Sequence, residues 1–385
     1  MWTRRQFLAR GVGLTGLAAG TNALLAVNRG NLPDGSAARG MITTETDEAI
    51  RKGLAFLAGN QHGDGSFGTL MHRGNVAITS LAALAFMSGG HQPGRNQYGK
   101  NVSRALEFVL TQTRAIQDTG TYICSDGGFQ RGLEERMYGH GFATLFLGEV
   151  YGMVHDPALR KRLRATLHDA IKLIVNTQNI EGGWRYEPKA NDSDISVTIC
   201  QIMALRSARN AGIAVPKSTV TKCVEYVKNC QNLNKPNERP QAFNDGGFNY
   251  TRRAVGSSGF ARSAAGVVAL YSAGVYKGPE IDAGLKYLMT FKPSGRQQNV
   301  NWNNRAAQEM QVYYFYGHYY AAQAMWTAGG KYWREWYPAI REELLTNPDH
   351  KRDGFWSDRF CNHYGTAMAL IILQIPNNYL PILQK

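Results

Sequence analysis

The chain of 385 residues lacks the features that would place it in several large classes of protein. Beyond its N-terminal stretch no apolar run is long enough to cross a bilayer, which takes roughly 20 predominantly apolar residues. Met368 to Ile375, for example, covers only eight positions. Prolines are few, 13 in all. The five cysteines, Cys124, Cys200, Cys223, Cys230 and Cys361, are odd in number and scattered, which excludes a disulfide framework. Cys223 and Cys230 are seven positions apart on an expected helix, on one face but too far along its axis to bridge. Basic residues give a formal charge of +14 without forming a run of five. Such scatter describes a solvated basic exterior, with contact to a membrane surface or a polyanion as the alternative. No nucleic-acid partner is expected. No Gly-rich turn precedes a Lys-Ser or Lys-Thr pair, which excludes a phosphate-cradling loop of that type.

What the chain has in quantity is glycine, 42 residues, and much of it recurs with a period. Gly-aromatic turns stand at Asp64-Gly65-Ser66-Phe67, Asp126-Gly127-Gly128-Phe129, Glu181-Gly182-Gly183-Trp184 and Asp245-Gly246-Gly247-Phe248. A degenerate Asn301-Trp302 follows, then Asp353-Gly354-Phe355-Trp356. A recurrence at intervals of 52 to 64 residues points to a repeat architecture. Before the first turn Ile50, Leu54, Leu57 and Ala58 line one stripe of an amphipathic helix; after it Val76 to Met87 is apolar on nearly every side, as in a helix buried all round. The alternation recurs: Ala170 to Thr177 and then Val197 to Leu205, Val224 to Val227 and then Ala264 to Leu270, with Ala367 to Leu373 last. One amphipathic and one wholly apolar helix per repeat imply two concentric layers. The expected fold is therefore all-α, an (α/α)6 toroid of six helical hairpins whose closure leaves no apolar face at either end. In each turn Gly supplies a positive φ, the acidic side chain accepts from backbone N–H groups, and the aromatic packs between repeats.

The N-terminus reads Thr3-Arg4-Arg5-Gln6-Phe7-Leu8 and continues as a weakly apolar Gly/Ala/Leu stretch from Gly11 to Val27. It resembles a twin-arginine export signal. Ser36-Ala37-Ala38 and the segment from Ala23 to Ala26 are the candidate cleavage sites, and an uncleaved anchor is the alternative. Residues 1–38 are read as leader and linker, residues 45–385 as the toroid, and the periplasm or cell envelope as the destination.

Lys52-Gly53-Leu54-Ala55-Phe56-Leu57, then Gln61, then Gly65-Ser66-Phe67, resembles the QW motif of squalene and oxidosqualene cyclases, with looser copies at Gln178 and Gly183-Trp184 and at Gln231 and Gly247-Phe248. Over about residues 45 to 385 the chain also resembles bacterial prenyltransferase and squalene-oxidase repeat proteins, many from planctomycetes. The matching stretches are Tyr138-Gly139-His140-Gly141-Phe142-Ala143-Thr144-Leu145, Gly182-Gly183-Trp184-Arg185-Tyr186 and Tyr319-Tyr320-Ala321-Ala322-Gln323-Ala324-Met325. The resemblance implies the toroid; activity is a property of the site grafted on it.

Asp192-Ser193-Asp194-Ile195 opens the third inner helix and is similar to the DxDD motif of class II terpene cyclases, whose middle Asp protonates an alkene or epoxide. Asp194 matches that middle position, Asp192 the first, and Ile195 replaces the last acid; the competing assignment is a helix cap. His140 and Glu149 lie on the second inner helix as further acid or base candidates, nine residues apart and so on different faces. Tyr138, Trp184, Trp302, Tyr313, Tyr316 and Tyr320 are the candidate substrate-binding aromatics, able to stabilise a cation or simply to fill core. Asp358, Cys361 and His363 crowd one segment instead of dividing between two helices as the zinc ligands of protein prenyltransferases do, so no metal is expected, and no cofactor. There is no DDxxD, no adjacent Asp pair at all, and no CGEQ thioester sequence. The leading expectation is a terpenoid-cyclase-like enzyme around an isoprenoid or other hydrophobic ligand. The alternatives are a non-catalytic binding or scaffold protein and a cell-envelope carbohydrate-active (α/α)6 protein, the last requiring facing carboxylates such as Asp192 or Asp194 with Glu149.

Overall fold

Two kinds of helix alternate along the chain in the computed structural model, which describes residues 38–125, 136–234, 243–254, 258–293 and 305–384, with the backbone alone at 305–308. The first hairpin is α1 (Thr44–Gly59) and α2 (Val76–Ser88); the second is α3 (Gly99–Thr111), a short antiparallel pair β1 (Thr113–Ile116) and β2 (Gly120–Ile123), and α4 (Arg136–Tyr151). Then come α5 (Pro157–Asn176) with α6 (Ile195–Asn210), α7 (Lys217–Asn229) with α8 (Phe260–Ser272), and α9 (Pro279–Met289) with α10 (Arg305–Val312) and α11 (Tyr314–Ala328). The last hairpin is α12 (Gly330–Leu345), α13 (Pro348–Asp353) and α14 (Asn362–Gln374).

The apolar members form a closed ring: α2 packs on α4, α4 on α6, α6 on α8, α8 on α11, α11 on α14, and α14 back on α2. In α2 every residue but Ala77 is buried, whereas α1 buries Ile50, Leu54 and Leu57 and leaves Arg51 and Lys52 exposed. The six-hairpin toroid expected from periodicity is the fold observed. The β1–β2 hairpin is an addition that periodicity did not announce; it packs on α5. Among the described residues no helix is long and apolar enough to cross a membrane. The leader, the turn at 126–129 and Asn301-Trp302 lie outside the described residues.

The turns are built alike. Gln61 Nε2 donates to the carbonyl of Gly65 (2.9 Å) and to that of Asn101 in the next outer helix (3.0 Å). Gln178 does the same to Gly182 (2.7 Å) and Thr219 (2.9 Å), and Gln231 to Gly246 (2.9 Å) and Glu280 (2.8 Å). In these three turns one side chain thus ties the turn to the following repeat. The turn aromatics Phe67, Trp184, Phe248 and Trp356 are fully buried, and each gives its backbone N–H to a hydroxyl in the first turns of an inner helix: Thr79, Thr198, Ser263 and Thr366. Gly182 has φ +95, and a Cβ there would sit 2.3 Å from the carbonyl of Lys222, so only glycine lets the turn approach α7. The acidic cap varies. Asp64 and Asp245 accept from backbone N–H groups, but at the third turn Asn179 takes that role and Glu181 faces Arg253 instead.

Candidate functional site

All six inner helices begin on the same side of the ring, and their first turns enclose a cavity of about 490 Å3. The third residues of five of them line it: Ile78, Tyr138, Arg262, Tyr316 and Tyr364. Asn75, the N-cap of α2, and Ser196 at the start of α6 add polar atoms. Tyr186 and Tyr250 enter from the turns before α6 and α8, His72 from the loop before α2, and Glu309 from α10. Tyr313, with Phe142 and Phe360, completes an aromatic lining. Arg262 and Glu309 form an ion pair at 3.5 Å inside this lining. The cavity therefore combines ring faces with fixed hydroxyls and one charged pair.

Asp194 sits behind that wall. It caps α6, Oδ1 accepting from the Val197 N–H at 2.9 Å, while Oδ2 accepts from the Tyr250 hydroxyl at 3.3 Å and lies 3.7 Å from the Arg185 guanidinium. The Tyr186 and Tyr250 hydroxyls are hydrogen-bonded to each other, and the Arg185 guanidinium lies over both rings, 4.9 and 5.2 Å from their centroids. Burial pushes the Asp194 carboxyl up to about 6, with the helix N–H groups, Arg185 and Tyr250 opposing. Asp194 thus meets the cavity through Tyr250 and does not line it. Asp192 is half exposed, 3.6 Å from Arg185, and also outside the lining.

The remaining sequence candidates divide. Tyr138, Tyr313 and Tyr316 line the cavity. Tyr320 stacks edge-on beneath Tyr316, with its hydroxyl 3.5 Å from Cys200 Sγ, so it supports the floor. Trp184 is wedged between repeats, its indole N–H donating to the Ile174 carbonyl at 2.8 Å, and does not reach the cavity. Trp302 lies outside the described residues. His140 faces the outer layer: Nδ1 accepts from the Ile123 N–H at 3.1 Å, which leaves Nε2–H to donate to the Ala170 carbonyl at 3.2 Å. Burial lowers its pKa to about 4, and this neutral imidazole is a structural joint between α4, β2 and α5. Glu149 is at the other end of the ring, hydrogen-bonded to Ser207 at 2.6 Å. Ser207 is 13 positions along α6 from Asp194, about 20 Å at the α-helical rise. A pairing of Asp194 or Asp192 with Glu149 across a cleft, which needs about 5–10 Å, does not form.

His363 Nδ1 accepts from the Gly68 N–H at 2.9 Å, which occupies one of its two ring nitrogens. Among the described residues no three His, Cys, Asp or Glu side chains are placed to hold a metal. Sequence reasoning missed Tyr186, Tyr250, His72, Arg262 and Glu309. A signal for the first two was present: Gly-Gly-Trp-Arg-Tyr and Gly-Gly-Phe-Asn-Tyr put a tyrosine two places after the turn aromatic in consecutive repeats.

No protein-family model matches the chain, and no curated protein matches it. Among solved structures it is similar to an inactive variant of an alpha-1,6-mannanase of Salegentibacter sp. in complex with alpha-1,6-mannotriose. The TM-score is 0.54 and the identity 9%, over 86% of this chain and 98% of that one. It is also similar to a sugar epimerase from a ruminal bacterium, with a TM-score of 0.59 and 13% identity over 86% of this chain and 98% of that one. At such identities the likeness shows the (α/α)6 fold. The mannanase variant carries Asn in place of two consecutive aspartates, an arrangement that this chain nowhere contains.

Proposed function

We propose that the cavity binds a saccharide and that the protein is a carbohydrate-active (α/α)6 toroid. The observation that carries this is the composition of the lining. Six tyrosine rings, Tyr138, Tyr186, Tyr250, Tyr313, Tyr316 and Tyr364, alternate with Asn75, His72 and the Arg262–Glu309 pair at the N-terminal ends of the inner helices. A sugar presents apolar C–H faces and a rim of hydroxyls; rings suit the first and fixed donors and acceptors the second. The two solved structures cited above, a mannanase and an epimerase, support the same direction. An isoprenoid cyclase would need Asp194 protonated and aimed into an apolar chamber. Here both carboxylate oxygens accept hydrogen bonds or face Arg185, and the lining includes His72, Asn75 and the Arg262–Glu309 ion pair.

His72 and Glu309 are the lining residues of acid–base type, and Tyr250 links the cavity to the Asp194 carboxylate behind it. Glu309 is the only carboxylate in the lining among the described residues, so two-carboxylate hydrolysis has one of its two groups there.

The test is calorimetric titration with a panel of neutral and acidic oligosaccharides that includes alpha-1,6-mannotriose, with mass spectrometry of the products. At least one sugar is expected to bind, and Tyr316→Ala and Tyr250→Ala are each expected to weaken it about tenfold, the worth of one good ring or hydrogen-bond contact. Absence of binding across the panel, together with a polyprenoid lipid co-purifying with the protein, would overturn the proposal.

A further inference from the structure

The charge of the outer layer is divided around the ring. Helices α3, α5 and α7 carry ten basic and three acidic residues, whereas α9, α12 and α1 carry six basic and eight acidic ones. The basic helices occupy consecutive sectors. Arg162 of α5 pairs with Glu107 of α3 at 2.8 Å, and Gln178, at the end of α5, reaches the Thr219 carbonyl of α7. Lys100, Arg104, Arg160, Lys161, Arg162, Arg164, Lys172, Lys217 and Lys222 are all exposed. We infer that this wall docks an acidic polysaccharide, a flexible chain bearing carboxylates or sulfates.

Charge selects a polyanion, and shape and surface chemistry select which one. The basic side chains are spread along an arc of the ring. A flat bilayer touches a convex wall along one helix, and membrane binding gains from apolar anchors as well as charge. None of the exposed large hydrophobic side chains lies on α3, α5 or α7. Duplex DNA, stiff over about 150 base pairs, does not follow an arc of molecular size without a bending cost. Single-stranded nucleic acid is held by several bases stacked on successive exposed rings; Phe108 and Tyr226 of these helices are buried, and the lone exposed ring, His168, offers no such series. A flexible polyanion without bases meets none of these obstacles. The choice of a saccharide polymer rests on the proposed reading of the cavity; the basic wall itself does not.

The experiment measures binding of labelled polygalacturonate to the full chain by fluorescence anisotropy at about 50 mM and about 200 mM salt, where a charge-driven contact loses affinity steeply. Wild type is expected to bind, with affinity falling about tenfold or more between the two. The triple variant Lys161→Glu, Arg164→Glu, Lys172→Glu is expected to lose at least tenfold in affinity. The control Lys286→Glu, Lys331→Glu, Arg334→Glu, which changes net charge equally on the other half of the ring, is expected to change it less than twofold. Equal losses in both triples would overturn the proposal, as would tighter binding of single-stranded DNA or anionic vesicles than of polygalacturonate. Titration of the wall variant with a cavity sugar separates the two sites, because loss of polymer binding with sugar binding intact concerns the wall alone.

Discussion

Glu149 Oε2 accepts a hydrogen bond of 2.9 Å from the backbone N–H of Ile382, 233 positions later in the chain. The same carboxylate takes the Ser207 hydroxyl on Oε1. Trp326 donates its indole N–H to the Leu383 carbonyl at 3.0 Å, and Arg206 donates to that of Gln384 at 3.0 Å. The C-terminal turn is thereby held against the end of the inner helices remote from the cavity.

This clamp makes stability depend on pH in a defined direction. Burial raises the Glu149 pKa from 4.5 to about 7. A carboxyl whose folded pKa lies above its unfolded one binds its proton more tightly in the folded state, so stability is lost as pH rises through that interval. Relative to Glu149→Gln, the wild type is expected to lose on the order of 3 kcal/mol between about pH 4.5 and pH 7. Thermal unfolding of both proteins across that range checks it; a difference independent of pH would show that the carboxyl does not titrate there.

Asp194 as a cap and Asp194 as an acid differ in what Asn does. Asn caps a helix about as well as Asp, so Asp194→Asn is expected to keep most of the stability while Asp194→Ala loses about 1–2 kcal/mol. Urea denaturation distinguishes them. Equal losses for both would mean that the charge itself, facing Arg185, holds the site together.

The glutamine staples are expected to act additively, because each serves a different seam. Gln178→Ala leaves the carbonyls of Gly182 and Thr219 without that donor and should cost about 1–3 kcal/mol. The double variant with Gln61→Ala should cost the sum of the two single losses, read from denaturation midpoints.

Gly182→Ala places a methyl group against the Lys222 carbonyl and in a left-handed conformation. It is expected to destabilise the protein by about 2 kcal/mol or more, against well under 1 kcal/mol for Gly152→Ala, where a Cβ has open space. Calorimetric midpoints test the contrast.

The layers of the ring were legible in the sequence because burial follows helical period: Leu54 and Leu57 belong to a stripe, Val76 to Met87 to no stripe at all. The role of Asp194 was half legible. Its place before an apolar run announced a cap, but its partner Tyr250 comes from another repeat, and only the folded ring brings the two together. His140 misled for the same reason, since both of its ring nitrogens are engaged by backbone groups of β2 and α5 that leave no mark in composition. Arg262 and Glu309 were invisible as a pair because they stand 47 positions apart, and only the packing of α10 on α8 brings them together.

The contact of α14 with α2 joins residues as much as 289 positions apart, and it closes the ring. An open stack of repeats can gain stability one unit at a time. A closed one has a last seam, whose entropy of closure falls due in a single step. Tyr364 stands on one side of that seam and Ile78 on the other, so the cavity has no wall there until it shuts. The wall of the cavity is therefore complete only where α14 and α2 meet.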